Sequence, residues 1–85
     1  MFSICHVCGR VQNCEEHHVF FGSNRKHSEQ WGMVVWLCPD CHRIKKWSVH
    51  MNRDTDLRLK REQQMIFEQT HSREKFMEIF GRNYL

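Results

Sequence analysis

The alternation of apolar and polar positions divides the chain into a front half of short, interrupted patterns and a rear half with helical spacing. His17-His18-Val19-Phe20-Phe21-Gly22 is β-branched and aromatic and is closed by glycine, which predicts a short strand. Met33-Val34-Val35-Trp36-Leu37 is the clearest apolar run and predicts a second strand. Between them, Gly22 to Gly32 is polar, a loop with room for one helical turn, so the two strands make a long-looped hairpin. Pro39 suits the first turn of a helix and Asp40 its positive dipole end, predicting a helix that runs to Lys46 or Trp47. Ser48 to Asn52 reads as a connection, and Asp54 as the cap of a second helix from Thr55 to Gln69, with Leu59, Ile66 and Phe67 at helical spacing. Ser72 caps a third helix, in which Phe76, Ile79 and Phe80 share a face and Gly81 ends the run. Arg10 to Glu16 is polar and predicts a loop.

Composition adds a constraint. A chain of 85 residues is one small domain, and at this size only ~60% of the unfolded surface is buried, so a staple is expected. The charged fraction of 27% and hydrophobic fraction of 40% are those of a soluble chain. No apolar run approaches the ~18 residues of a membrane span. Met1 to Gly9 lacks a charged leader followed by an apolar core, so no secretory signal is expected and a reducing cytoplasm is the expected compartment. Five cysteines in such a compartment argue for metal rather than disulfides. Four fall into C-x-x-C pairs, Cys5/Cys8 and Cys38/Cys41, and Cys14 is expected to be a small buried apolar residue.

Cys5-His6-Val7-Cys8-Gly9 reads as a zinc knuckle, with Gly9 free to take positive φ and His6 facing solvent. A single C-x-x-C fits a redox pair equally well, but no βαβ pattern surrounds it and a matching pair follows. Two pairs at this separation predict one tetrahedral zinc held by four thiolates, structural because no coordination position stays open. Charge is concentrated: from Arg43 to Arg61 seven basic residues stand against two acidic ones, a local excess of +5 in a chain of net charge +3. Such a patch fits a polyanion, and a solvated helix face fits it as well. Arg43, Lys45 and Lys46 in that patch, and Arg25 and Lys26 in the hairpin loop, are candidate phosphate contacts. Trp31, Trp36 and Trp47 are expected at the core or its rim rather than as base-stacking platforms.

Knuckle, hairpin and helix, with one C-x-x-C on the knuckle and the other at the helix start, resemble a treble-clef zinc finger, an α+β arrangement. With the doublet His17-His18 on the first hairpin strand and His42 directly after the last cysteine, the assembly resembles the HNH, or ββα-metal, endonucleases, small phage and prophage members above all. The likeness covers Cys5 to about Asn52, leaving 53–85 as a two-helix extension of a single domain over 1–85. It implies that His17 and His42 hold a catalytic divalent metal and that His18 is the general base; His50, which its spacing from His42 puts beyond the helix, is a further candidate ligand or phosphate contact. Neutral imidazole is a good metal ligand and accepts a proton near neutral pH. By the same resemblance, water activated by His18 attacks the phosphorus in line while the metal neutralises the developing charge.

The chain departs from that pattern where the second strand usually begins with asparagine: here stands Gly32-Met33-Val34, and Asn24 in the loop is the candidate to orient His18. A site of imidazoles is also softer than one with aspartate, so nickel, zinc or manganese competes with magnesium. The implied partner is DNA in a bacterial host cell, with phage packaging or recombination proteins beside it. A non-catalytic zinc module that binds DNA or protein on the same frame is the alternative. The oligomeric state is open, because the apolar faces of the last two helices suit either the zinc core or a second copy.

Overall fold

Two antiparallel hairpins and three helices form an α+β fold in a computed structural model that describes residues 1–85. The first hairpin pairs β1 (Phe2–Ile4) with β2 (Val11–Asn13), Ile4 lying opposite Val11. The Cys5–Gly9 turn is its tip: Gly9 has φ 78° and its N–H bonds the Cys5 carbonyl at 2.9 Å. The stretch Arg10 to Glu16 is thus not a loop. Its strand is three residues long and its one apolar side chain, Val11, faces outward beside exposed Phe2 and Ile4. No buried face exists there to impose the alternation by which a strand is recognised.

The second hairpin pairs β3 (Glu15–His18) with β4 (Val34–Leu37), in a register running from Glu15 opposite Leu37 to His18 opposite Val34. β3 therefore starts and ends earlier than the expected His17–Gly22. Val19 keeps one ladder bond, from its N–H to the Met33 carbonyl at 3.0 Å. Beyond it the chain bends, so that Val19 and Phe20 are fully buried for packing rather than for pairing. A tight helical turn over Gly22–Asn24 leads into α1 (Arg25–Gln30), more helix than the one turn expected of this loop. Buried Ser28 anchors it: its hydroxyl accepts from the Phe20 N–H at 3.0 Å and donates to the Phe20 carbonyl.

After β4 a single wide helical turn, Asp40–Ile44, ends where the Lys45 N–H bonds the Asp40 carbonyl at 3.1 Å. The expected continuation to Lys46 or Trp47 fails because Lys45 is extended (ψ 160°) and the chain doubles back. Val49 N–H bonds the Cys41 carbonyl at 2.9 Å and His50 N–H the His42 carbonyl at 3.2 Å. The return buries Val49 and sets His50 beside His42, not beyond the helix.

α2 (Arg53–Phe67) is capped by Asn52, whose side-chain oxygen accepts from Thr55 N–H at 3.0 Å, so Asp54 lies inside the first turn rather than at the cap. Leu59 and Phe67 are buried, whereas Ile66 is 47% exposed and off the core stripe. α3 (Arg73–Phe80) has the expected ends: the Ser72 hydroxyl accepts from Lys75 N–H at 3.0 Å, and Gly81 stops it at φ 77°. Phe76 and Phe80 close on Phe20 with ring centroids 5.4 and 4.5 Å away. Burial of each such ring contributes ~1.5–3 kcal/mol, so the extension's apolar face covers the hairpin of its own chain. Trp31 and Trp36 sit at the core rim, Trp47 is half exposed, and Cys14 is buried as expected. No helix is long and apolar enough to cross a membrane.

Candidate metal centres

The first hairpin tip and the end of β4 face each other, joined by the His6 N–H to the Trp36 carbonyl at 2.9 Å. This contact brings Cys5 and Cys8 against Cys38 and Cys41, all four sulfurs within 4.8 Å of one another. The Cys8 and Cys38 sulfurs are 3.9 Å apart. Zinc–sulfur bonds of ~2.3 Å at tetrahedral angles separate sulfurs by roughly 3.8 Å, so the set fits one zinc ion. The thiols disagree in their protonation. Burial opposes ionising Cys5, but the N–H groups of Cys8, Cys38 and Val7 outweigh it and lower the thiol to about 6. Burial, reinforced by the Cys38 thiol, pushes Cys41 up. A bound dication removes that conflict, since coordinated thiols are deprotonated. The cluster is compatible with a structural zinc site. His6 is exposed, as expected, although its Nε2 meets Glu62 of α2.

The second centre lies one residue further along the helical turn. His17 from β3, His42 from that turn and His50 from the returning segment bring one ring nitrogen each to within 4.8 Å of the others. Ring centroids are 5.1 Å apart for His17–His42 and His17–His50, and 4.8 Å for His42–His50. Nε2 of His42 stands 3.1 Å from Nε2 of His50. Metal–nitrogen bonds of ~2.0–2.1 Å separate tetrahedral ligands by roughly 3.3 Å, close to that spacing. Nε2 of His17 is fully buried and has no hydrogen-bond partner, a condition that costs free energy unless an ion takes it up. Burial first, then neighbouring His42 and His50, hold His17 down at about 3, so its imidazole is neutral, the form that ligates.

A carboxylate stands behind this centre. Glu15 Oε1 is 2.8 Å from His42 Nδ1, and Arg43 donates to both Glu15 oxygens, the shortest contact being 2.8 Å from Nη2. Hydrogen bonds from Arg43 and then His42 hold Glu15 at about 2, hence ionised. An ionised carboxylate only accepts, so His42 donates to it from Nδ1 and turns Nε2 toward the centre. A strand that begins at His17 leaves Glu15 in the preceding loop, whereas β3 begins at Glu15. With the true boundary, strand alternation alone puts Glu15 on the His17 face.

His17 and His18 do point to different surroundings, as alternation requires. His18, with its side chain only 5% exposed, places Nε2 2.9 Å from Glu29 Oε1 on α1 and 4.0 Å from Glu16 Oε1. Asn24 is not its partner: the Asn24 amide donates to the Phe80 carbonyl at 3.0 Å. Nothing in the polar run around Glu29 marked it. A cleft of about 210 Å³ is lined by the three clustered imidazoles together with Glu16, His18, Phe21 and Arg25.

The basic residues divide. Arg25 lines that cleft and Lys26 the depression beside it. Lys45 and Lys46 are exposed on the return segment. Arg43 is committed to Glu15, and Lys60 is buried against Asp56 with Nζ–O distances of 2.6 and 2.7 Å, so neither is a free surface cation. Comparison with known proteins finds no matching family model, no similar curated protein and no matching solved structure.

Proposed function

We propose that the chain is a metal-dependent DNA endonuclease of the HNH, or ββα-metal, type, built on a treble-clef frame that zinc holds together. The observation that carries this reading is the meeting of His17, His42 and His50, one nitrogen each, in a cleft that also contains His18 and Arg25. Three ligands drawn from β3, the helical turn and the return segment leave coordination positions open, as a catalytic site requires and a closed four-thiolate site does not. A divalent ion held there, magnesium, manganese, nickel or zinc, supplies charge neutralisation at phosphate oxygens and at the leaving oxygen.

The chain's own groups do the rest. Glu15 holds the His42 ring with its ligating nitrogen inward. Arg25 offers a guanidinium fork to a non-bridging phosphate oxygen at the cleft wall. His18 takes the proton of the attacking water as its oxygen bonds phosphorus and the bond to the leaving oxygen breaks. Lys45 and Lys46 extend the electrostatic footprint along the DNA backbone, with fewer free charges than the basic count suggests.

The test is nicking of supercoiled plasmid across a metal series. Wild-type protein nicks; His18→Ala does not, while it keeps its fold and its DNA affinity. Full activity in His18→Ala rejects His18 as the base, and no cleavage of supercoiled, linear, branched or single-stranded DNA in any metal rejects the nuclease reading. The absence of the family's asparagine favours the rival reading, a non-catalytic zinc module. That rival predicts one tightly held zinc and no second, chelator-labile ion.

A further inference from the structure

We infer that Glu29 is the positioning residue for His18, fixing the tautomer and orientation in which that imidazole works. The inference rests on the nuclease reading only for its catalytic consequence. The contact itself is direct, His18 Nε2 to Glu29 Oε1 at 2.9 Å. An ionised carboxylate only accepts, so this bond requires the proton on Nε2 and leaves the Nδ1 lone pair as the ring's free base. Because the His18 side chain is 5% exposed and Glu29 59%, the pair differs from an ordinary surface ion pair. The buried ring depends on a protein partner for Nε2, and the other carboxylate within reach, Glu16, stands at 4.0 Å.

Glu29 is also delivered rigidly. Its chain neighbour Ser28 is fully buried and bonded through its hydroxyl to both backbone groups of Phe20, while the Ser28 carbonyl accepts from Met33 N–H at 2.8 Å. Phe20 lies two residues after His18, so the same anchor that clamps α1 to the end of β3 sets the carboxylate against the imidazole. This geometry assigns to a helix between the two strands a task that sequence reasoning gave to Asn24, which is tied to the Phe80 carbonyl instead.

The experiment compares Glu29→Ala, Glu29→Gln, His18→Ala and the double variant His18→Ala/Glu29→Ala, each full length and zinc-loaded. Misplacing a reacting group costs on the order of 10²-fold. The single-turnover cleavage rate of Glu29→Ala is therefore expected to fall by about that factor, with the KM for DNA unchanged. Glu29→Gln keeps an acceptor oxygen in reach and should recover most of the loss. The double variant should be no slower than His18→Ala, because the carboxylate acts through the ring. Ring ¹⁵N shifts should report His18 as the Nε2–H tautomer in the wild type and a shift away from it in Glu29→Ala. An unchanged rate in Glu29→Ala, an additive double variant, or an Nδ1–H tautomer in the wild type overturns the inference. So does loss of a bound metal ion in Glu29→Ala, which would make Glu16, His18 and Glu29 ligands themselves. If the wild type cleaves no DNA, the nuclease reading fails, and the ring spectra alone decide what Glu29 does.

Discussion

Cys41 and His42 are neighbours in the chain and belong to opposite kinds of centre. Cys41 completes a set of four sulfurs of which three are almost wholly buried, at a spacing that fits tetrahedral zinc. His42 joins a set of three imidazoles open to a cleft, one of them backed by a carboxylate. The thiolate centre joins the tip of the first hairpin to the end of β4, so an ion held there would be part of the fold. The imidazole centre is assembled by elements that the fold has already placed, so an ion bound there would be expected to come and go. Structural zinc contributes ~10–16 kcal/mol of apparent binding free energy that is also folding free energy. Cys38→Ser is therefore expected to abolish cooperative thermal unfolding and tight zinc binding together, whereas His50→Ala leaves the unfolding transition in place. A folded, zinc-free Cys38→Ser protein would remove the distinction between the two centres.

The next largest effect lies behind the imidazole cleft. Lys60 and Asp56 form an ion pair with side chains 6% and 5% exposed, and Lys60 Nζ stands 4.0 Å from the centre of the Phe21 ring, which lines the cleft. Burial pulls Lys60 down despite the carboxylate beside it. Truncating Lys60 leaves the buried Asp56 carboxylate only Arg53 Nη1 at 3.5 Å, from a side chain 62% exposed, and breaking a buried pair costs ~3–5 kcal/mol. Lys60→Ala should show that loss in denaturant unfolding and yet retain one zinc per chain. The paired replacement Asp56→Leu/Lys60→Met should restore most of the stability, because apolar groups of similar volume need no compensation. Loss of zinc in Lys60→Ala would mean that the two centres share one cooperative unit.

The imidazole centre itself is tested by metal count. Wild-type protein should bind two ions of unequal affinity. His17→Ala, His42→Ala and His50→Ala should each keep the tight one and lose the weaker, read by titration after mild chelation. Equal retention of both ions in His50→Ala would return that residue to a surface role.

What was legible in the sequence differs between the centres for a physical reason. C-x-x-C is a local device: two ligands on one turn, with Gly9 closing it, declare themselves within five residues, and two copies imply the whole thiolate set. The imidazole set is not local. His42 follows from its place after Cys41, but His50 joins it only because Lys45 breaks the helix and the chain turns back, which no periodicity in Ser48 to Asn52 records. The helix caps show the same limit at smaller scale. Ser72 and Gly81 were readable because each has one plausible position. Asp54 and Asn52 are both good capping residues two positions apart, and the return of the chain, with the Asn52 N–H bonded to the Ser48 carbonyl at 2.8 Å, goes with a cap at Asn52 rather than at the expected Asp54. Charge counting cannot tell that Lys60 points inward or that Arg43, on the helical turn, is paired with a carboxylate of β3.

Glu15 sharpens the comparison further, since the thiolate centre has no equivalent. Its carboxylate accepts from His42 Nδ1 while fixed by Arg43, and replacing such a partner of a metal-ligating histidine typically costs 10–100-fold in metal affinity. Glu15→Gln should therefore weaken the labile ion by about that factor without changing the affinity of the tight one. An equal loss at both ions would show a general loosening of β3 rather than an effect on the imidazole.

The smallest expected effect belongs to Arg43, which reaches the centre only through Glu15. Its guanidinium donates from Nε at 3.0 and 3.3 Å and from Nη2 at 2.8 Å, a well-formed fork, but its side chain is 54% exposed and competes with water. Exposed pairs of this kind are worth ~0.2–1 kcal/mol, which is less than about fivefold in an equilibrium constant. Arg43→Ala should therefore weaken the labile ion less than Glu15→Gln does, and the double variant should be no weaker than Glu15→Gln alone, because the guanidinium has no other route to His42. A loss in Arg43→Ala that adds in full to that of Glu15→Gln would mean that the guanidinium acts on the centre directly, as a charge lying at the cleft rather than as the clamp of a carboxylate.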